Sequence, residues 1–167
     1  MAKQDVDFMQ DDVQEGFLDW MRDLFYKSND EFPNTFAAAT DEGIAGCPLV
    51  FRTSEDKDKF EAFMVRSIMQ GKFKSIAMVT ESWLTKMDKG DDADIDEVMK
   101  KAGELRPNTK EVVTAIFSSA KGDKLVYAEI KREGGKRELG PWVVMNDVAQ
   151  IAGRFSQLFR KAAAIMN

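Results

Sequence analysis

The sequence predicts an α+β domain: a largely antiparallel sheet of five to six strands covered by helices, with amphipathic helices near both ends. Three observations carry that expectation. Apolar residues recur at three- and four-residue spacing near both ends of the chain, the middle alternates in blocks separated by turn residues, and one run is apolar on both strand faces. With 167 residues, 44% hydrophobic and 32% charged, the chain fits one domain with an ordinary core. Residues 1–14 read as a mobile acidic arm and 15–167 as a single domain with a polar excursion at 87–105.

The elements follow in order. Val13, Phe17, Trp20, Met21, Leu24 and Phe25 mark one face of a first helix that ends near Ser28. Thr35 to Thr40 and Ile44 to Phe51, joined by Asp41-Glu42-Gly43, read as a hairpin, with Gly46 and Pro48 indicating a bulge or an edge. Thr53 or Ser54 caps a second helix whose core face is Phe60, Phe63, Met64, Ser67 and Ile68, and Gly71 terminates it.

Phe73 to Leu84, with Ile76-Ala77-Met78-Val79 apolar on both faces, is the central strand. Val112 to Phe117 and Leu125 to Lys131 form a meander with a tip at Glu133-Gly134-Gly135, which a short strand at Trp142 to Met145 extends. Asn146 or Asp147 caps a last helix with Val148, Ile151, Ala152, Phe155, Leu158, Phe159, Ala162 and Ile165 on one stripe.

The run Lys74-Ser75-Ile76-Ala77-Met78-Val79-Thr80-Glu81-Ser82-Trp83, followed by Arg106-Pro107-Asn108-Thr109-Lys110-Glu111-Val112-Val113, resembles a pattern in small bacterial and phage-encoded proteins of unassigned function. The resemblance covers about half the chain. It implies a microbial or phage origin and supports the order of elements, and it implies no reaction.

Composition narrows the chemistry. There is no histidine, and Cys47 is the only cysteine. Histidine-based acid–base catalysis, Ser-His and Cys-His nucleophile pairs, and imidazole or thiolate metal sites are therefore excluded, as is an internal disulfide. No cofactor is indicated and no metal ligand set assembles. The N-terminal residues lack the basic end and apolar stretch of a secretion signal, and no apolar run approaches membrane-spanning length, so the expected location is cytoplasmic, away from membranes. Residues 1–105 carry a formal charge of −10 and residues 106–167 carry +5. That asymmetry fits acidic and basic segments packed within one fold, head-to-tail self-association, or a nucleic-acid surface.

Four constellations in the sequence carry candidate chemistry. Glu81 extends the face of Ala77 and Val79 to the end of the central strand, beside Ser82 and Trp83, with Arg106 or Lys110 placed to pair with it. These make Glu81, Trp83, Arg106 and Lys110 the candidates for a ligand or partner site, against a purely structural ion pair. Glu129-Ile130-Lys131, with Asp123 as a further acid, spells the (D/E)-x-K element of metal-dependent nucleases, although alternation of charged and apolar residues is also what any half-solvated strand shows. The acidic run Asp88 to Glu97 fails as a calcium loop because Ala93 and Met99 stand where glycine and glutamate are needed. The basic tip Lys131 to Glu138 interleaves acids with its cations and reads as a solvated turn.

The expected function is non-enzymatic: a cytoplasmic protein-interaction module of bacterial or phage origin, acting as a homo-oligomer, most simply a homodimer. The alternative is a Mg²⁺-dependent nuclease or nucleic-acid binder using the strand that carries Glu129 and Lys131.

Overall fold

A computed structural model describes residues 5–28, 32–85, 109–145 and 158–166. In chain order the elements are α1 (Asp11–Lys27), β1 (Thr35–Thr40), β2 (Gly43–Pro48), α2 (Ser54–Met69), β3 (Ser75–Thr85), β4 (Thr109–Ser119), β5 (Gly122–Glu133), β6 (Lys136–Leu139), β7 (Val143–Met145) and α3 (Leu158–Met166). The strands form one open sheet of order β2-β1-β3-β4-β5-β6, with β7 also paired to β5, and every pairing is antiparallel. The protein is α+β. Beyond the expected five to six strands, β6 returns alongside the end of β5 through Gly134 and Gly135. Both glycines take positive φ (58° and 79°), as a tight hairpin turn requires.

The period of two divides the sheet residues between two cores. On one face Ala77, Val79, Val113, Ala115, Phe117, Val126, Ala128 and Ile130 pack with Phe17, Leu18, Met21 and Phe25 of α1. On the other, Phe36, Ala38, Ile76 and Met78 pack with Met64 of α2 and with Leu158 and Phe159 of α3. β3 is buried on both faces from Ser75 to Val79, as expected of a central strand. The Thr53 hydroxyl accepts from Asp56 N, and the Asp56 carboxylate accepts from Thr53 N, a reciprocal cap that starts α2. β2 is the edge strand that Gly46 and Pro48 suggested, and its register with β1 runs without a bulge.

Two expectations are corrected. Trp20 and Phe63, assigned to core stripes, are 55% and 52% exposed. At 100° per residue Trp20 falls at the margin of the stripe set by Phe17, Met21 and Phe25, and its ring meets Phe17 edge-on at 5.9 Å. The stretch read as an arm is partly ordered: Phe8 is buried in the core beneath α1, its amide donates to Ser75 Oγ at 3.0 Å, and helix α1 begins at Asp11. The polar excursion at 87–105 and the expected start of the last helix at 146–157 lie outside the described residues. Among those described, no helix is long and apolar enough to cross a membrane.

Candidate functional site

Beyond the last apolar residues of the α1 face, the strands carry charge. Val79 gives way to Glu81 on β3, Val113 to Glu111 on β4 and Ile130 to Arg132 on β5. On β6, Leu139 lies opposite Ile130 and Arg137 opposite Arg132. Residues directly opposite across a ladder share a face. Leu139 therefore joins the apolar core, and Arg137 is brought beside Arg132.

Two arginines facing each other repel, and each is offset by a glutamate. Arg132 grips Glu111 with two bonds, Nη2 to Oε1 at 2.8 Å and Nε to Oε2 at 3.0 Å. Arg137 Nη2 donates to Glu81 Oε1, and its guanidinium lies over the Phe25 ring, 4.6 Å from the centroid. The Arg137 side chain is 9% exposed and that of Glu81 26%, so this pair is largely removed from water. The hydrogen bond from Arg132 holds the Glu111 carboxyl below its usual range. Burial opposes this shift, and the charges of Arg132 and Arg137 add to it.

Local backbone contacts seat the quartet. Phe32 N donates to Glu81 Oε1 at 3.3 Å, and Glu81 N donates to Asn34 Oδ1 at 3.1 Å. The returning β6 is tied to α1 by Arg22, which donates to the Leu139 and Gly140 carbonyls at 2.8 and 2.7 Å, and by Leu139 N donating to Tyr26 Oη at 3.1 Å. The cluster thus joins α1, β3, β4 and the β5–β6 hairpin.

This arrangement corrects the expected partner of Glu81. Lys110 pairs instead with Glu129, at 3.4 Å, on the opposite face of the sheet. The alternation that places Glu81 on the α1 face places Lys110 on the other, because its ladder partner is Leu84 and not Glu81. Trp83 stands opposite Glu111 in the β3–β4 register, and Arg106 lies outside the described residues.

Glu129 and Lys131 share the face expected for them, with Val126, Ala128 and Ile130 buried on the other. Asp123 is not brought to them. It sits six positions away along β5, about 20 Å at the usual strand rise, and accepts from Ser118 Oγ. Among the described residues no three acidic or cysteine side chains are grouped to hold a metal ion.

Arg132, Arg137 and Glu111 escaped the sequence reading. The β4–β5 register would have placed Arg132 diagonally across from Glu111, but the contact of Arg137 with Glu81 depends on β6 folding back, which no local pattern announces. Chemically, the quartet pairs ionised carboxylates with guanidinium groups. Such an arrangement fastens elements together and presents an alternating charge pattern at its exposed rim, where Arg132 is 57% exposed. No protein-family model matches the chain, and neither a curated protein nor a solved structure matches it.

Proposed function

We propose that the chain is a non-enzymatic protein-interaction module of bacterial or phage origin that works in the cytoplasm as a homo-oligomer. One contrast on its surface carries this reading. The charged groups at the strand ends are engaged with each other, Glu81 with Arg137, Glu111 with Arg132 and Glu129 with Lys110. Large apolar side chains, Trp20 and Phe63 foremost, stay more than half exposed. Half-exposed aromatic rings are what protein interfaces use as anchors.

The test is capture from microbial extract by the wild type and by a Trp20→Ser/Phe63→Ser variant, followed by binding of the purified components. A protein that binds the wild type and binds the folded variant at least tenfold more weakly supports the reading. Equal binding by both, or none, removes it.

The alternative, a Mg²⁺-dependent nuclease or nucleic-acid binder, draws on the shared outer face of Glu129 and Lys131. Lys110 beside Glu129 and the distance to Asp123 weigh against a two-carboxylate Mg²⁺ cage there. The expected result is no cleavage of DNA or RNA with Mg²⁺ or Mn²⁺. Metal-dependent cleavage that is lost in both Glu129→Gln and Lys131→Ala would replace the interaction reading with this one.

A further inference from the structure

β2 is the outermost strand, and among the described residues it pairs only with β1. Five of its six residues are exposed. Leu49 N donates to Asn34 O at 2.7 Å, which sets the phase of the ladder, since antiparallel pairs alternate between hydrogen-bonded and non-hydrogen-bonded. Counting back from that bond, Cys47, Ala45 and Gly43 turn their backbone groups toward β1. Ile44 and Gly46 therefore direct N–H and C=O outward, and Pro48 directs its carbonyl.

Proteins commonly protect such an edge with charged side chains or a bulge. The six residues Gly43-Ile44-Ala45-Gly46-Cys47-Pro48 carry no charge, and their pairing with β1 has no bulge. The charges stand at the two ends instead. Glu42 is exposed in the turn before the strand, and Arg52 is exposed after it, lining a shallow groove with Val50, Phe51, Asp56, Lys59 and Phe60.

Resting on the interaction reading above, we infer that β2 pairs with the β2 of a second copy of this chain, antiparallel and two-fold symmetric about Gly46. In this register Gly46 N–H donates to Gly46 O of the second copy, Ile44 N–H donates to Pro48 O of the second copy, and both bonds are repeated by symmetry. The proline, which has no N–H to offer, is needed only as an acceptor. Antiparallel pairing of a strand with itself also exchanges its ends, so the Asp41-Glu42 turn of each copy lies along Val50-Phe51-Arg52 of the other.

Glu42 of each copy then lies diagonally across from Arg52 of the other, with Asp41 held by its own Lys74, so acid meets base twice. A register centred on Ala45 carries these ends apart, and one centred on Cys47 keeps only the Gly46 N–H to Pro48 O bonds within the strand. That complementarity is the reason to assign the edge to a second copy over an unrelated strand. The interface is short and falls below the area of a tight complex, so the dimer is weak and governed by mass action.

Sedimentation velocity over a concentration series tests the pairing. It should show a monomer–dimer equilibrium that Ala45→Lys, Glu42→Lys and Arg52→Glu each weaken at least tenfold, with urea midpoints unchanged, and that the Glu42→Lys/Arg52→Glu double variant restores. Cys47, the only cysteine, supplies a second measurement. The two Cys47 side chains form a same-face diagonal pair about 7–8 Å apart, so a short bis-maleimide should trap the dimer, and Ala45→Lys should abolish the trapping. A monomer at every concentration overturns the inference. So does a dimer indifferent to these substitutions, or protection of the β2 edge only by a different protein. In the last two cases the interaction reading survives while self-pairing through β2 fails.

Discussion

Glu81 on β3 accepts a hydrogen bond from Arg137 on β6 across a sequence separation of 56 residues, although β4 and β5 stand between their strands in the sheet. The contact exists because the β5–β6 hairpin folds over the α1 face, where Leu139 enters the core and Arg22 and Tyr26 hold the returning strand. Removing one partner leaves a poorly solvated charge unmatched. Glu81→Gln should therefore lower stability by about 1–3 kcal/mol, read as a reduced urea midpoint. An unchanged midpoint would mean the pair contributes nothing.

Acid should loosen the same region through Glu111. Its folded value lies below the ordinary 4.5 because Arg132 hydrogen-bonds the ionised form. A depressed folded value means that the contribution to stability is present above the unfolded value and is lost as pH falls through the folded one. The urea midpoint of the wild type should therefore drop on acidification below that ordinary value. Arg132→Met should have a lower midpoint at neutral pH and a shallower acid decline. Parallel pH profiles for the two proteins would refute this.

Tyr26→Phe removes the acceptor of the Leu139 amide and leaves the ring in place. Stability should fall by about 0.5–1.5 kcal/mol. Hydrogen exchange should accelerate at Leu139 and along β6, while the β3–β4 ladder keeps its protection. Uniform acceleration across the sheet would show that the bond is not local to the hairpin.

Thr53→Ala removes the hydroxyl of the α2 cap. The expected loss is about 1 kcal/mol, measured by thermal or urea unfolding, and Thr53→Ser should recover most of it because serine presents an equivalent oxygen.

The local elements were readable from the sequence because each rests on short-range physics. The hairpin follows from the turn residues Asp41-Glu42-Gly43, although its second strand stops at Pro48 and not at Phe51, the α2 cap from Thr53, and the central strand from apolar residues on both of its faces. Glu81 was also legible as a carboxylate that needs a partner, since alternation alone puts it on the face of Ala77 and Val79. The partner was not legible. Sequence proximity favoured Lys110 or Arg106, whereas register puts Lys110 beside Glu129 on the opposite face.

Arg137 looked like one more cation in a solvated tip, because its charge and its neighbours Lys136 and Glu138 are those of an exposed turn. Only the tertiary structure turns that tip into a strand and lays it over α1. The forces that do so, burial of Leu139 and capture of its backbone by Arg22 and Tyr26, arise from residues more than 110 positions away. The margins of Trp20 and Phe63 follow the same logic. Helical periodicity assigns a side chain to a stripe, but how much of that stripe is covered depends on the width of the sheet beneath it, which no window of sequence contains.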